Sequence, residues 1–536
     1  MSKLISALIL LSAFTISYSQ TLLPTAGSSL FAGSGKCLAC HLTNKTGVLT
    51  VNGEELTPAN HWRSSMMANA SKDPLWRAVV SEETSKFPEL AKTIETTCTR
   101  CHAPMGNKQA FHDGADGYSI KETELSKLGR DGVSCTVCHQ IQPANLGTPE
   151  SFSGGFEIKP EKVVFGPYED PLVDPMTGVA GYEPRHSQHI NESALCGTCH
   201  TLFTPYLNNK NEIAGMFPEQ TPYLEWKNSK FPAANANCQS CHMPPLTDSV
   251  DISTTPPWHK VKRSPFWRHL FIGSNAFMGK LLGNNFDTLN LTATPAHFDS
   301  TVKKTKAMLM EKTVALEISP SQSGDLLSAK VKVTNLTGHK LPTGIPYRRV
   351  WIKLNVKDEA GNTVFESGGW DDEGEITGNT GPFVPHYNEI TSPGQVQIYE
   401  GVLQDVDENV TFTLLRAAGY KKDNRLPPQG FTTKHVSYDS IKIYGEALSD
   451  PDFNRDGSAE GTGSDFITYK IKLKDKGTYS ITAEAVYQSV PPGLVHHLAE
   501  IDTPEIKEFI RLYDNESNAP VIMNSVTKEI KISSLK

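Results

Sequence analysis

The chain has no long interior apolar run, few aromatic residues and no excess of positive charge. Beyond the N-terminus nothing reaches the roughly 18 consecutive apolar residues of a membrane-crossing helix. Aromatic residues make up 8%, and 51 basic side chains face 59 acidic ones, a formal net charge of -8. The basic footprint expected of a nucleic-acid binder is therefore missing. With 536 residues, 38% hydrophobic and 21% charged, the chain is neither disordered nor collagen-like, and it is too long for a small disulfide scaffold. Its length suits about two or three domains with ordinary cores. No cysteine follows Cys241, and none of the 10 stands alone.

The first informative segment is N-terminal. Leu4 to Ile16 form a short apolar run behind Lys3, followed by Ser17 and Ser19. That length and flank predict a secretory signal over residues 1–19, too short for a stable membrane span. No cysteine stands at the cleavage point, which argues against a lipid anchor. The mature chain is expected to be exported, periplasmic or at the cell surface or extracellular, where free thiols do not last.

Every cysteine belongs to a C-x-x-C-H word. The five are Cys37, Cys40, His41; Cys98, Cys101, His102; Cys135, Cys138, His139; Cys196, Cys199, His200; and Cys238, Cys241, His242. Zinc takes thiolates in sets of four, so five pairs leave one over. Disulfides or a thioredoxin-like site would not require a histidine after every pair. The covalent attachment of haem c explains both features. Two thiols one helical turn apart add to the porphyrin vinyl groups, and the next residue brings a proximal imidazole to the iron. Five haems are expected, with the ten cysteines as attachment points and His41, His102, His139, His200 and His242 as proximal ligands.

The motifs fall at roughly 40 residues of chain each, which leaves little room for a conventional core. Helices are expected over His61 to Ala70, Asp73 to Glu83 and Phe87 to Thr97, and a Pro/Gly-rich excursion over Gly147 to Gly181. After about residue 300 alternating strands take over. Ala329 to Thr334, Val350 to Val356 with a return strand TVFESG, Phe466 to Leu473 and Tyr479 to Val486 read as strands, the last two as a hairpin around Lys474 to Gly477. The fold class expected is a mostly helical and loop-rich multihaem domain over 20–305 with little regular structure. An all-β, sandwich-like domain over 306–536 follows, with a short C-terminal helix at Ile506 to Tyr513.

Several longer words carry a resemblance: HWRSSMMANASKDPLW, CTRCHAPM, GVSCTVCHQI, HINESALCGTCHTLFTP, PYLEWKNSKF, CQSCHMP and RHLFIGSN, then TGHKLPTGIPYRRVWI and DNRLPPQGF. Over about residues 33–500 the chain resembles multihaem cytochromes of the cytochrome c-552/4 type. The resemblance implies electron transfer without naming donor or acceptor.

The second axial ligand separates a carrier from an enzyme, because a six-coordinate iron passes electrons while an open face permits small-molecule chemistry. Of 17 histidines, those outside the motifs include His61, His112, His186, His189, His259, His269 and His297, with His339, His386, His435, His496 and His497 in the β region. His269 lies in RHLFIGSN, which the resemblance implies is a distal-ligand segment. His189 precedes the fourth motif and is a second candidate. His339, in Gly338-His339-Lys340 before a Pro/Gly turn, reads either as a haem cap reaching across from the β region or as a surface turn residue. Met67 stands where, by the resemblance, related cytochromes often carry histidine; methionine is a legitimate iron ligand, and a packing role on porphyrin faces is the alternative. His61 and His112 complete the distal candidates.

Asp452, Asn454, Asp456 and Gly457 match the start of a calcium loop, although its twelfth position is Gly463. Calcium there and a solvated turn are the two readings. Function likewise divides in two. One reading is an exported pentahaem electron carrier between a redox-protein or quinol-linked donor and an acceptor. The other is a multihaem oxidoreductase acting on a small nitrogen or sulfur compound at one open haem. The lysine-bearing variant motif of pentahaem nitrite reductases does not occur, but Arg263, Arg268, Arg348 and Arg349 are available to hold an anion.

Overall fold

The computed structural model describes residues 22–257, 262–378, 381 and 383–535. The expected signal over 1–19 and the candidate His259 lie outside these residues. Up to residue 312 the chain is short helices, turns and two-stranded ribbons. The helix expected from His61 spans only Pro58–Trp62, and residues 63–72 form successive turns. Side chains cause this: Asn69 Nδ2 donates to the carbonyls of Arg63 (3.1 Å) and Ser65 (2.8 Å), and Ala68 N donates to Ser65 Oγ (3.2 Å). Such bonds satisfy the backbone in a non-helical path. The next helix, Pro74–Lys86, starts where Asp73 caps it, accepting from Leu75 N at 2.9 Å with proline at the first position. Helix Ala91–His102 then ends on the second motif.

Helix Pro295–Lys312 runs almost directly into strand Val314–Ser323, so the expected boundary near 305 falls inside a helix. Two sheets follow. One has four strands, Val314–Ser323, Leu326–Asn335, Ser464–Lys472 and Glu389–Ile390. The other is built on Arg349–Lys357, flanked by Gly477–Gln488 and Val521–Ile532 on one side and by Ile398–Gln404 and Gly419–Asp423 on the other, with Thr363–Ser367 also paired to it. Alternate residues point inward. Leu327, Ala329, Val331 and Val333 meet Val350, Ile352, Leu354 and Val356 in one core, each full burial of a Val or Leu contributing about 1.5–3 kcal/mol.

Two expectations need correction. Ser464–Lys472 and Gly477–Gln488 are not a hairpin: the first pairs with Leu326–Asn335 and the second with Arg349–Lys357, in different sheets. Both strands are buried on alternate residues, and crossing between sheets sets those apolar sides facing each other. The helix Pro504–Tyr513 exists, but the chain continues into the 12-residue strand Val521–Ile532. That helix lies against Pro74–Lys86, its Thr503 and Glu505 meeting Ser81. The apolar clusters cross the whole molecule. Phe152, Tyr223 and Leu224 join the β core, and Ala78, Val79 and Met278 pack with Tyr347, Leu494 and Phe509.

Candidate functional site

Each C-x-x-C pair lies on a single helical turn. Cys98 and Cys101 occupy the end of Ala91–His102, Cys135–Cys138 and Cys238–His242 are single-turn helices, and Cys37 and Cys196 sit in the turns Ser34–Ala39 and Ser193–Gly197. Local chemistry sets these turns: Asn237 caps the fifth, its Oδ1 accepting from Ser240 N at 2.9 Å. Gly197, between the cysteines of the fourth, is required by space, because a β-carbon there would stand 2.8 Å from the Tyr223 ring. None of the ten cysteines is in a disulfide. The spacing sets two sulfurs and an imidazole on neighbouring positions of one turn.

The turns lie against one another. Cys37 lies beside Cys135, Cys101 beside Cys199, and Cys196 beside Cys238, the thiols of each pair close enough to influence one another. Motif one therefore adjoins three, two adjoins four, and four adjoins five. His102 also senses His200, and His200 senses His242. The sequence had given no spatial order.

Four of the five motif histidines are held in one pattern. His41 Nδ1 donates to Ile252 O (2.8 Å), His102 Nδ1 to Ala70 O (3.1 Å), His139 Nδ1 to Phe165 O (2.7 Å) and His242 Nδ1 to Ile272 O. A carbonyl accepts only, so Nδ1 carries the proton and the Nε2 lone pair is left to bind a metal. Burial pushes His102 and His200 down to about 4. The rings are neutral at physiological pH, as ligation requires.

Two of the distal candidates face motif histidines. The rings of His139 and His269 have centroids 6.3 Å apart and planes 21° apart; for His242 and His339 the values are 6.4 Å and 21°. Two metal–imidazole bonds of about 2 Å each, with a ring radius added at either end, span about 6 Å. Each gap fits one iron. His269 Nδ1 donates to Trp267 O (2.9 Å) and His339 Nδ1 to Lys340 O (3.0 Å), repeating the motif pattern. Burial, with His139 close by, pushes His269 down to about 3.

The turn carrying His339 is fixed from across the molecule. Glu225, on helix Pro222–Lys227 before the fifth motif, accepts from Lys340 N (3.0 Å) and Thr343 Oγ1 (2.6 Å) and pairs with Arg425 (3.3 Å). Asp423 joins Arg425 (2.7 Å) to the buried Lys340 ammonium (2.7 Å). Gly338 makes room for Trp226, whose Cδ1 would be 3.2 Å from a β-carbon there. These residues come from three of the sequence words quoted above, whose separation in the chain concealed the network.

The other distal candidates stand differently. His61 donates from Nε2 to Glu55 O (2.8 Å), while its Nδ1 is buried without a partner among the described residues. His189 has both nitrogens engaged, by Ser187 Oγ (2.6 Å) and Ile141 O (2.9 Å). His112 is exposed at the end of helix Pro104–His112. Met67 is half-buried and outside the apolar clusters that take up Met66. No histidine ring is stacked against His200 or His102 among the described residues; a ring of Trp76 lies on His102 at 4.4 Å and 6°.

Of the four arginines considered for an anion, Arg263 pairs with Asp170, Arg268 with Glu54 and Arg349 with Glu375. Arg348 meets only Thr343 O (2.9 Å) and Ser274 Oγ (3.4 Å), and its buried Nε has no partner among the described residues. Sequence reasoning missed two further buried bases, Arg63, with an unpartnered Nε, and Lys72, which burial pushes down to about 8. Both lie near Asp131, which precedes the third motif and accepts from Ser34 N ahead of the first. Their only sequence signal was charge inside a helix-like run.

The candidate calcium loop that begins at Asp452 is folded on itself. Residues 455–460 form a hairpin, Arg455–Asp456 with Ala459–Glu460. Asn454 Oδ1 accepts from Gly463 N (3.0 Å) and its Nδ2 donates to Phe431 O (3.1 Å). Glu460 is taken by Thr432 and Thr433. Of the candidate calcium ligands Asn454 is thus engaged, while Asp452 Oδ1 is buried without a partner among the described residues.

No protein-family model and no curated protein matches the chain. Among solved structures it is similar to a multihaem cytochrome. That structure is the penta-heme cytochrome c552 from Thermochromatium tepidum, with a TM-score of 0.51 over 93% of this chain and 98% of that one. The identity is 15%, so the likeness is one of fold. No helix among the described residues is long and apolar enough to cross a membrane.

Proposed function

We propose that this protein is an exported c-type cytochrome carrying five covalent haems and passing electrons between redox partners. The observation that carries the reading is the two imidazole pairs, His139 with His269 and His242 with His339, each joining a C-x-x-C-H histidine to one from elsewhere across an iron-sized gap. Haem supplies the one-electron chemistry; the protein holds each proximal and distal ring neutral, oriented and shielded from water. We assign His41, His102, His139, His200 and His242 as proximal ligands, and His269, His339 and, through Nδ1, His61 as distal ones. His189 and His112 are left out of the set. The touching motif turns support closely spaced cofactors and a continuous route. A redox protein or quinol-linked donor and an acceptor are the partners, and the periplasm or cell surface is the location.

A second reading is favoured by one observation. His200 has no facing histidine among the described residues, and Arg348, which has no carboxylate partner among them and whose Nε is unpaired there, lies close enough for its charge to bear on it. An open fourth site beside a guanidinium not neutralised by a carboxylate would suit reduction of a small nitrogen or sulfur anion.

Mass spectrometry of the mature protein tests the first reading: five haem additions are expected, and an unmodified cysteine pair refutes the count. Ligand-binding spectra separate the two readings. A wholly low-spin protein indifferent to nitrite, hydroxylamine and cyanide is a carrier, and a high-spin fraction that responds to them supports the oxidoreductase.

A further inference from the structure

A group of buried acids lies beside the second motif, outside every role so far described. Helix Pro74–Lys86 sets Trp76 on the His102 ring at 4.4 Å and packs Val80 and Trp76 with Cys98 in one apolar cluster. Glu83 is seven residues on from Trp76, two turns or about 10 Å along the axis, and so on the same helix face. The residue is 4% exposed, and its carboxylate accepts from Leu414 N and, at 3.3 Å, from Leu415 N. The charges of Glu219 and Glu83 both bear on the Cys98 thiol, which burial raises.

Glu82, the neighbouring residue, faces another way. Its Oε1 accepts from Lys86 Nζ (2.8 Å), Thr413 Oγ1 (2.7 Å) and His497 Nε2 (2.8 Å), while its buried Oε2 has no partner among the described residues. The Lys86 and His497 side chains are 35% and 20% exposed. Together they form a chain of titratable groups leading from solvent to the buried pair.

We propose that Glu83 is a proton-uptake site coupled to electron arrival at the second motif, filled from solvent by way of His497, Lys86 and Glu82. This rests on the haem reading above. As one electron from the one-electron donor reaches the haem of the second motif, Glu83 takes one proton from solvent: an O–H bond of a hydronium ion breaks, leaving water, and the carboxyl O–H bond forms, so one negative and one positive charge arrive together. An ionised carboxylate this close disfavours the added negative charge, so the electron raises the affinity of Glu83 for a proton.

The surroundings suit the role. Burial, then the adjoining Glu82 charge, pushes Glu83 up to about 8, against the opposing bonds from Leu414 and Leu415. Burial works against Glu82 too, but His497, Lys86 and Thr413 hold it below the ordinary carboxylate value. Of two adjacent acids one is thus kept charged and the other poised to titrate. The remaining groups around the pair are Glu219 on strand Ile213–Gln220, the buried Tyr347, Arg416, and Glu95 on the motif helix. Arg416 is turned away to Asn208 O and Asn211. Glu505 is held at Ser81.

The test is a spectroelectrochemical titration of the full haem-loaded protein across the pH range spanning that value. One haem potential should fall as pH rises, and Glu83→Gln, which keeps the carbonyl that accepts from Leu414, should flatten that dependence while preserving haem content. In the wild type, the reduced-minus-oxidised infrared spectrum should gain a protonated-carboxyl band that shifts in D2O. Potentials independent of pH, a slope unchanged in E83Q, or no such band would each overturn the proposal and leave the haem reading intact. Absence of covalent haem would overturn the haem reading and this proposal with it.

Discussion

His242 and His339 are separated by most of a domain in sequence, yet their rings face each other with centroids 6.4 Å apart. His242 is fixed by the Ile272 carbonyl and His339 by that of Lys340. Behind His339, the Glu225 carboxylate holds both Lys340 N and Thr343 Oγ1. One ring comes from a motif turn and the other from the β region, so the pair also ties the two parts of the chain together.

The variant His339→Ala should convert one haem from low spin to high spin and open it to carbon monoxide or cyanide. His269→Ala should do the same for a different haem. Visible and electron paramagnetic resonance spectra report both, and five unchanged low-spin haems in either variant would reduce that histidine to a packing residue.

Replacing Glu225 by Gln removes the charge that Arg425 meets at 3.3 Å while keeping the side chain's shape. Breaking one partner of a buried ion pair costs on the order of 3 kcal/mol. Thermal unfolding should show that loss, and the haem between His242 and His339 should gain a high-spin fraction. Unchanged unfolding and spectra would show that the network does not hold the ligand turn.

Stability should depend on pH in two opposite senses. Asp423 is buried, which alone would raise it, but Arg425 and Lys340 hold it below its ordinary value. Its contribution is present above the unfolded value, about 3.9, and is lost as pH falls through the depressed folded value. Glu83 is raised, to about 8, so the folded state binds the extra proton. Stability contributed there falls as pH rises from the unfolded carboxylate value through about 8. Melting temperatures measured across pH should therefore show E83Q gaining on the wild type in alkaline buffer. A constant difference between the two would contradict the assignment.

Chelation should leave the β region unaffected. Asn454 spends its side chain on Gly463 and Phe431, so excess EDTA should not shift the melting temperature. A drop reversed by added calcium would show that the hairpin reading is wrong.

The sequence by itself determined the grouping of each cysteine pair with its histidine, because C-x-x-C-H is a local device: one helical turn sets two sulfurs and a ring together whatever surrounds them. It also determined the strands, since alternation such as that of Val350 to Val356 survives in any sheet with one buried face. It singled out His269 and His339, though only as members of a longer set of candidates. Tertiary structure decided which motif turns touch, which nitrogens stay free, and which sheet each strand joins. Ser464–Lys472 and Gly477–Gln488 look like a hairpin in sequence and are parted by the packing of their apolar sides. No local pattern marked Glu225, Lys340, Asp423 and Arg425, or Glu82 and Glu83, as buried. Only the tertiary structure places them in a low dielectric interior, where the position of each charge relative to the others becomes decisive.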